Sequence, residues 1–143
     1  MANKIKHLEM IEKIIERMAK NCFQLKGWAM TLVTIVGALG AKDSDKRFIL
    51  IAFAPILGFW ILDAYYLQQE RRYKALYREV RNKDENKIDF NLDTGLVTFT
   101  DEEKKSIKFF SCFISKSVRV FYLMLILTII LLVSILKGWV NWL

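Results

Sequence analysis

The feature that most constrains this chain is the gathering of its apolar residues into three blocks, with most of its charge left between them. A soluble helix or strand repeats its hydrophobic residues with a period of 3.6 or 2, so that one face meets water. The third block does not: Val120 to Leu136 carries no charge and includes only Thr128 and Ser134 as polar residues. A helix that is apolar all round must be buried all round, and about 20 such residues cross the ~30 Å hydrocarbon layer of a bilayer. Arg119 and Lys137 at its ends, with Trp139 and Trp142 beyond, are residue types that anchor a helix at headgroup depth.

Phe48 to Leu67 forms the second block and has one ionisable residue, Asp63, followed by Tyr65 and Tyr66. Pro55 removes one helical hydrogen bond in its middle, so a bend near Ala52 to Pro55 is expected rather than a break. The first block, Gly27 to Ala41, is uncharged but short. It reaches bilayer thickness when counted from Cys22, with Lys26 snorkelling to the headgroups; a re-entrant segment is the competing reading. Six polar residues, Lys42 to Arg47, separate the first two blocks and suit a tight turn between antiparallel helices.

One proline and six glycines exclude a disordered or collagen-like chain, and two cysteines exclude a disulfide scaffold. The amino terminus alternates Lys4, Lys6 and Lys13 with Glu9, Glu12 and Glu16, unlike a secretory signal. Of 22 Lys and Arg residues, all but Lys42, Lys46, Arg47 and Lys137 precede the first block or lie between the second and third. That bias places the amino terminus and the central segment on the cytoplasmic side of the membrane and the carboxyl terminus outside. Both cysteines, Cys22 and Cys112, then lie near the reducing side, and no bridge is expected.

Residues 1–25 read as an amphipathic cytoplasmic helix, because Leu8, Ile11, Ile15, Met18, Cys22 and Leu25 recur at steps of three and four. That stripe suits an intersubunit seam, the membrane surface or the chain's own body. Beyond the second block the helix is expected to continue to about Asn82, with Arg71, Arg72, Lys74, Arg78 and Arg81 as a basic stripe for anionic lipid or a partner. From 87 to 100 Ile88, Phe90, Leu92, Val97 and Phe99 alternate with polar residues around Asp93-Thr94-Gly95, which predicts a β-hairpin, an irregular loop being the alternative. Thr100 with Glu103 forms a capping box that opens a helix along the inner leaflet, leading through Lys116 and Arg119 into the third block. The expected fold is an all-α membrane protein: a cytoplasmic helix at 1–25, a transmembrane hairpin within 22–67 (about 22–41 and 48–67), a cytoplasmic helix/hairpin module at 68–117 and a third transmembrane helix at 118–143.

Chemistry is sparse. The single histidine is His7, the cysteines lack metal-ligand spacing, and no nucleophile has a recognisable base, so no enzyme, metal or cofactor is expected. Nucleic acid is not expected as a direct partner, since no phosphate loop or stacking module accompanies the basic residues. Asp63 is the leading functional residue, because an acid in an apolar helix is costly unless paired; Lys26 and Arg119 are its candidate partners in an electrostatic latch. Gly37 with Ala41, and Ala54 with Gly58, are small residues four apart that suit close packing of the first two spans or of two copies. The third span is expected to face lipid.

The stretches Arg17-Met18-Ala19-Lys20-Asn21, Lys26-Gly27-Trp28, Ala41-Lys42-Asp43-Ser44 and Phe59-Trp60 through Asp63-Ala64-Tyr65-Tyr66-Leu67 to Gln69-Glu70-Arg71 resemble a family of small, largely uncharacterised bacterial inner-membrane proteins. The resemblance continues at Ser115-Lys116 and Phe121-Tyr122 and implies location more than activity. The layout is also similar to small transmembrane effectors of bacterial antiphage defence, a likeness of architecture alone. The functional expectation is a homo-oligomeric effector that permeabilises the membrane in response to a cytosolic protein partner. The alternative is a non-conducting anchor that recruits such a partner.

Overall fold

The apolar blocks do not stand apart from the polar helices beside them: each is one end of a longer helix. The computed structural model describes residues 1–42 and 47–140, with side chains described except at 40–42, 47–52, 133 and 136–140. Helix α1 (Ala2–Lys42) joins the amphipathic segment to the first block, and α2 (Arg47–Asn82) runs from the second block through the basic segment. Short helices α3 (Asp101–Ser106) and α4 (Phe109–Phe113) lead to α5 (Lys116–Val140). No β-strand forms among the described residues, so the chain is all-helical. The turn expected between the first two blocks lies outside the described residues, as do Trp142 and the side chains of Ala41, Lys137 and Trp139.

With 41 and 36 residues, α1 and α2 are roughly 60 and 54 Å long at about 1.5 Å per residue, well over the thickness of bilayer hydrocarbon. They pack antiparallel and bury two cores along their length. In the first, Ala29 and Val33 of α1 and Ile56 of α2 meet Val118, Tyr122, Leu125 and Ile129 of α5. In the second, Ile11 of α1 meets Ala75, Leu76 and Val80 of α2 under Val97 of the connecting segment. Around the first core the surface is apolar, with Trp28, Met30, Ile61, Leu123, Met124 and Leu127 each at least 45% exposed. Around the second, Glu9, Glu12, Lys13, Glu16, Arg17 and Lys20 are exposed. Within α1, Ala2–Leu39 is the one helical stretch among the described residues long and apolar enough to cross a membrane, and 22% of its most apolar window is buried, so most of that window faces outward.

The structure chooses among some of the expected alternatives and corrects other expectations. The stripe of Leu8, Ile11 and Ile15 is covered by the chain's own α2 and connecting segment, so an intersubunit seam is not needed to bury it; Met18 is half-buried on the same helix. Helix α2 runs through Pro55 as one helix. Among the described small residues, Gly37 faces Leu132 of α5, with 3.3 Å for an added Cβ, while Ala54 and Gly58 are exposed and Gly58 has open space around it. The third block is not wholly lipid-facing, since Val118, Tyr122, Leu125 and Ile129 give it a buried face.

The hairpin expected at 87–100 is replaced by two 3₁₀ turns, Glu85–Lys87 and Thr94–Leu96, in otherwise irregular chain. The alternation that suggested strands has a local cause. Asp89 Oδ1 accepts from the Asn91 N–H, Asn91 Oδ1 from the Asp93 N–H and Asp93 Oδ1 from the Gly95 N–H, at 3.2, 2.9 and 2.8 Å. Three consecutive Asx turns thus take the amides that a strand would have offered to a neighbour. A Cβ at Gly95 would stand 3.0 Å from Asp93 Oδ1, so a larger residue there would press on the turn's acceptor. Between the turns Phe90 adopts φ 54°, a left-handed conformation uncommon for a bulky residue.

The capping box forms as expected: the Thr100 side chain accepts from the Glu103 N–H, and the Glu103 carboxylate accepts from the Thr100 N–H. The helix it opens does not reach α5, however. It stops at Ser106, restarts at Phe109 and stops again at Phe113, so that the chain turns an elbow before α5.

Because Ile11 is fully buried in the second core, Ile11→Ala is expected to cost about 2–5 kcal/mol, and Ile5→Ala, at a position 53% exposed, to cost little. Unfolding midpoints of the two purified variants check this.

Candidate functional site: a buried ion pair and the elbow beside it

Between the two cores, four polar side chains from three helices converge. Cys22 and Lys26 are one turn apart on α1, Asp63 is on α2 and Tyr122 on α5. Lys26 Nζ donates to Asp63 Oδ2 at 2.5 Å, with Asp63 fully buried and Lys26 20% exposed. Cys22 Sγ lies 3.8 Å from the Asp63 carbonyl as its donor. The Lys26 ammonium also stands 5.8 Å from the centre of the Phe121 ring, close enough for a cation–π contribution.

The cluster is unevenly satisfied. Asp63 Oδ1 and the Tyr122 hydroxyl are both buried without a hydrogen-bond partner among the described residues. The phenol lies within electrostatic reach of the carboxylate, but their geometry falls short of a hydrogen bond. Tyr122 is held by stacking instead: its ring lies 5.5 Å from Trp60 at 6°, and Trp60 lies 4.6 Å from Phe113 at 7°. A polar network with open valences in low dielectric is costly to hold and sensitive to small shifts of its members.

One face of α2 also holds the elbow. Trp60 Nε1 donates to the Phe113 carbonyl at 3.0 Å, Gln68 Nε2 to that of Ile107 at 2.7 Å and Arg71 Nη1 to that of Ser106 at 2.6 Å. These carbonyls belong to the ends of α3 and α4, where backbone acceptors have no partner within their own helix. Arg71 Nη2 also donates to Ser115 Oγ at 3.2 Å. Cys112, fully buried beneath, donates from Sγ to the Ser106 carbonyl at 3.4 Å. Burial pushes the Cys112 thiol pKa up against the opposing pull of Arg71 and Arg72, so the group is a thiol donor rather than a reactive thiolate.

The basic residues of α2 are therefore largely occupied within the chain. Besides Arg71, Arg78 makes a two-pronged contact with Glu103 at 2.8 and 2.9 Å and donates to the Thr98 carbonyl. Lys74 pairs with Glu70 one turn away. Arg72 is partly buried with its Nε unpartnered, and Arg81 is exposed. Of the two candidate partners for Asp63, Lys26 makes the pair; Arg119 is exposed and makes no ion pair among the described residues.

Sequence reasoning passed over three participants. Tyr122 counted as part of an apolar block, though its hydroxyl was the signal. Trp60 entered only through the Phe59-Trp60 stretch of the resemblance, although a half-buried indole N–H needs an acceptor. His7 had no assigned role; it is fully buried, with Nε2 3.0 Å from the Asn91 carbonyl and its ring 5.5 Å from Phe90. It thereby fastens the 88–93 segment to α1. Among the described residues no group of three or more His, Cys, Asp or Glu side chains gathers to hold a metal ion. No family model, no curated protein and no solved structure matches the chain.

Removing one partner of the buried pair strands the other charge, so Asp63→Ala and Lys26→Met are each expected to destabilise by roughly 3 kcal/mol, whereas Lys26→Met with Asp63→Leu recovers most of the loss. Denaturant titration of the three variants measures it.

At Glu103, desolvation raises the carboxyl pKa, but hydrogen bonds from the Thr100 N–H and from Arg78 outweigh it and hold the group below the usual 4.5. A pKa lowered by folding stabilises fully above that value and loses its contribution as pH falls through the folded pKa. Unfolding midpoints are expected to drop on acidification below about 4.5, and Glu103→Gln to flatten that part of the pH profile.

Proposed function

We propose that this chain is an oligomeric inner-membrane effector whose three long helices cross the bilayer and whose cytoplasmic module, residues 68–117, receives a protein partner. The observation that carries the proposal is the Lys26–Asp63 pair, buried where an apolar-surfaced half of the molecule gives way to a charged-surfaced half. Outward-facing apolar side chains on α1, α2 and α5 support embedding in hydrocarbon. So do the hydroxyls within the apolar halves: Thr31, Thr34, Thr128 and Ser134 each donate to the carbonyl four residues earlier, at 2.8 to 3.0 Å, and need no water. The bias of Lys and Arg supports an amino terminus inside, and the resemblance to small bacterial inner-membrane proteins agrees with that location.

In this mechanism the ion pair is the latch. The elbow is tied to α2 through Trp60, Gln68 and Arg71, and Trp60 stacks on Tyr122 beside Asp63, so the module and the pair share one set of contacts. A partner that pulls on the module shifts Tyr122 and Trp60 against Asp63, loosens the pair and changes the packing of α5 on α1 and α2. The outcome is permeabilisation or depolarisation, the layout that small antiphage effectors use.

The self-bonded hydroxyls also favour the second reading, a non-conducting anchor, because they leave no polar stripe among the described residues for a water-filled path. The two part on measurement. Dye leakage from liposomes and membrane potential in cells are expected to respond to the wild-type chain when its partner is present, and Asp63→Ala to change that response at least several-fold. Intact membranes with the partner bound leave the anchor.

A further inference from the structure

We propose that the outer face of the elbow is a contact for anionic phospholipid, with Lys105, Lys108, Lys116 and Arg119 holding headgroup phosphates and Phe109 and Phe110 entering the acyl boundary. The proposal rests on the membrane reading above and replaces the α2 stripe as the lipid-binding surface, since Arg71, Lys74 and Arg78 are engaged within the chain.

Charge argues for the occupant. The four elbow cations are exposed, and none forms an ion pair among the described residues, in contrast to Lys74 and Arg78 of α2. The apolar residues between them are exposed too: Phe109 at 40%, Phe110 at 70% and Ile114 at 43%. A small apolar wedge rimmed by cations is the pattern of an interfacial anchor. Its depth also fits. The inner residue of the same short helix, Phe113, stacks on Trp60 at the level of Asp63, and Arg119 is followed at once by Val120, 46% exposed at the start of the apolar surface. The bonds from Trp60, Gln68 and Arg71 tie the elbow backbone to α2, which lowers the ordering cost of presenting the wedge.

The test uses the full-length chain in non-ionic detergent micelles, with phosphatidylglycerol, phosphatidylcholine or inorganic phosphate added and the unfolding midpoint read. Phosphatidylglycerol is expected to raise the midpoint in a saturable way, and the other two to leave it near its starting value. Lys105→Gln, Lys108→Gln, Lys116→Gln and Arg119→Gln together are expected to weaken the half-saturating phosphatidylglycerol concentration by about tenfold or more, and Phe109→Ser with Phe110→Ser to weaken it further. Arg72→Gln with Arg81→Gln should keep the wild-type response. An equal response to phosphatidylcholine, or a response that survives the four elbow substitutions, overturns the proposal. Resistance of the chain to carbonate extraction, read separately, reports on the membrane reading itself and keeps the two failures distinct.

Discussion

The register of α1 against α2 is fixed where Lys26 meets Asp63. Two long helices with continuous apolar faces can slide by a turn at modest cost, because one aliphatic contact replaces another. A buried carboxylate cannot follow, since a displacement of one turn leaves it in low dielectric without a counter-charge. With the register set, Ile11 comes under Val80 and Val97, Ala29 and Val33 come beside Ile56, and Tyr122 of α5 finds its slot against Trp60. The pair is thus as much an alignment device as a source of stability.

A second constraint follows from that alignment. Once α2 is placed, the indole of Trp60, the amide of Gln68 and the guanidinium of Arg71 form a row of donors over about three turns. The row selects where the chain between Thr100 and Lys116 can end a helix, because a helix end supplies the free carbonyls that donors need. This is why a segment that opens with a sound capping box breaks twice within 15 residues without a glycine or proline. The same breaks turn Phe109 and Phe110 outward and Cys112 inward. An unbroken helix would have carried its apolar stripe evenly around and left no wedge.

The three proposals share this frame. The membrane reading depends on the outward apolar belt, the latch on the ion pair at its edge, and the lipid contact on the elbow beside that pair. All three lie within one band of the molecule, between Lys26 on α1, Asp63 to Arg71 on α2 and Arg119 on α5. Mechanical coupling between the elbow and the long helices needs no long pathway there, since one side chain, Trp60, touches the elbow carbonyl with its N–H and Tyr122 with its ring.

Much was legible in the order of residues alone. The length and uniform apolarity of the blocks dictate helices, the Thr100–Glu103 box dictates a helix start, and an acid at position 63 within an apolar run demands a partner, because each of these is settled by local hydrogen bonding or by solvation of a single segment. Which cation answers Asp63, what covers the Leu8–Ile11–Ile15 stripe and how the basic face of α2 is employed were decided by tertiary structure. Those outcomes depend on which segments distant in the chain are brought within a few ångströms, and Lys26 and Arg119 are equivalent until packing chooses between them. The hairpin shows the same limit from the other side. Alternation at 88–93 satisfies a strand and a run of Asx turns alike, and the contacts of Ile88, Leu92 and His7 with the helices beneath select the turns.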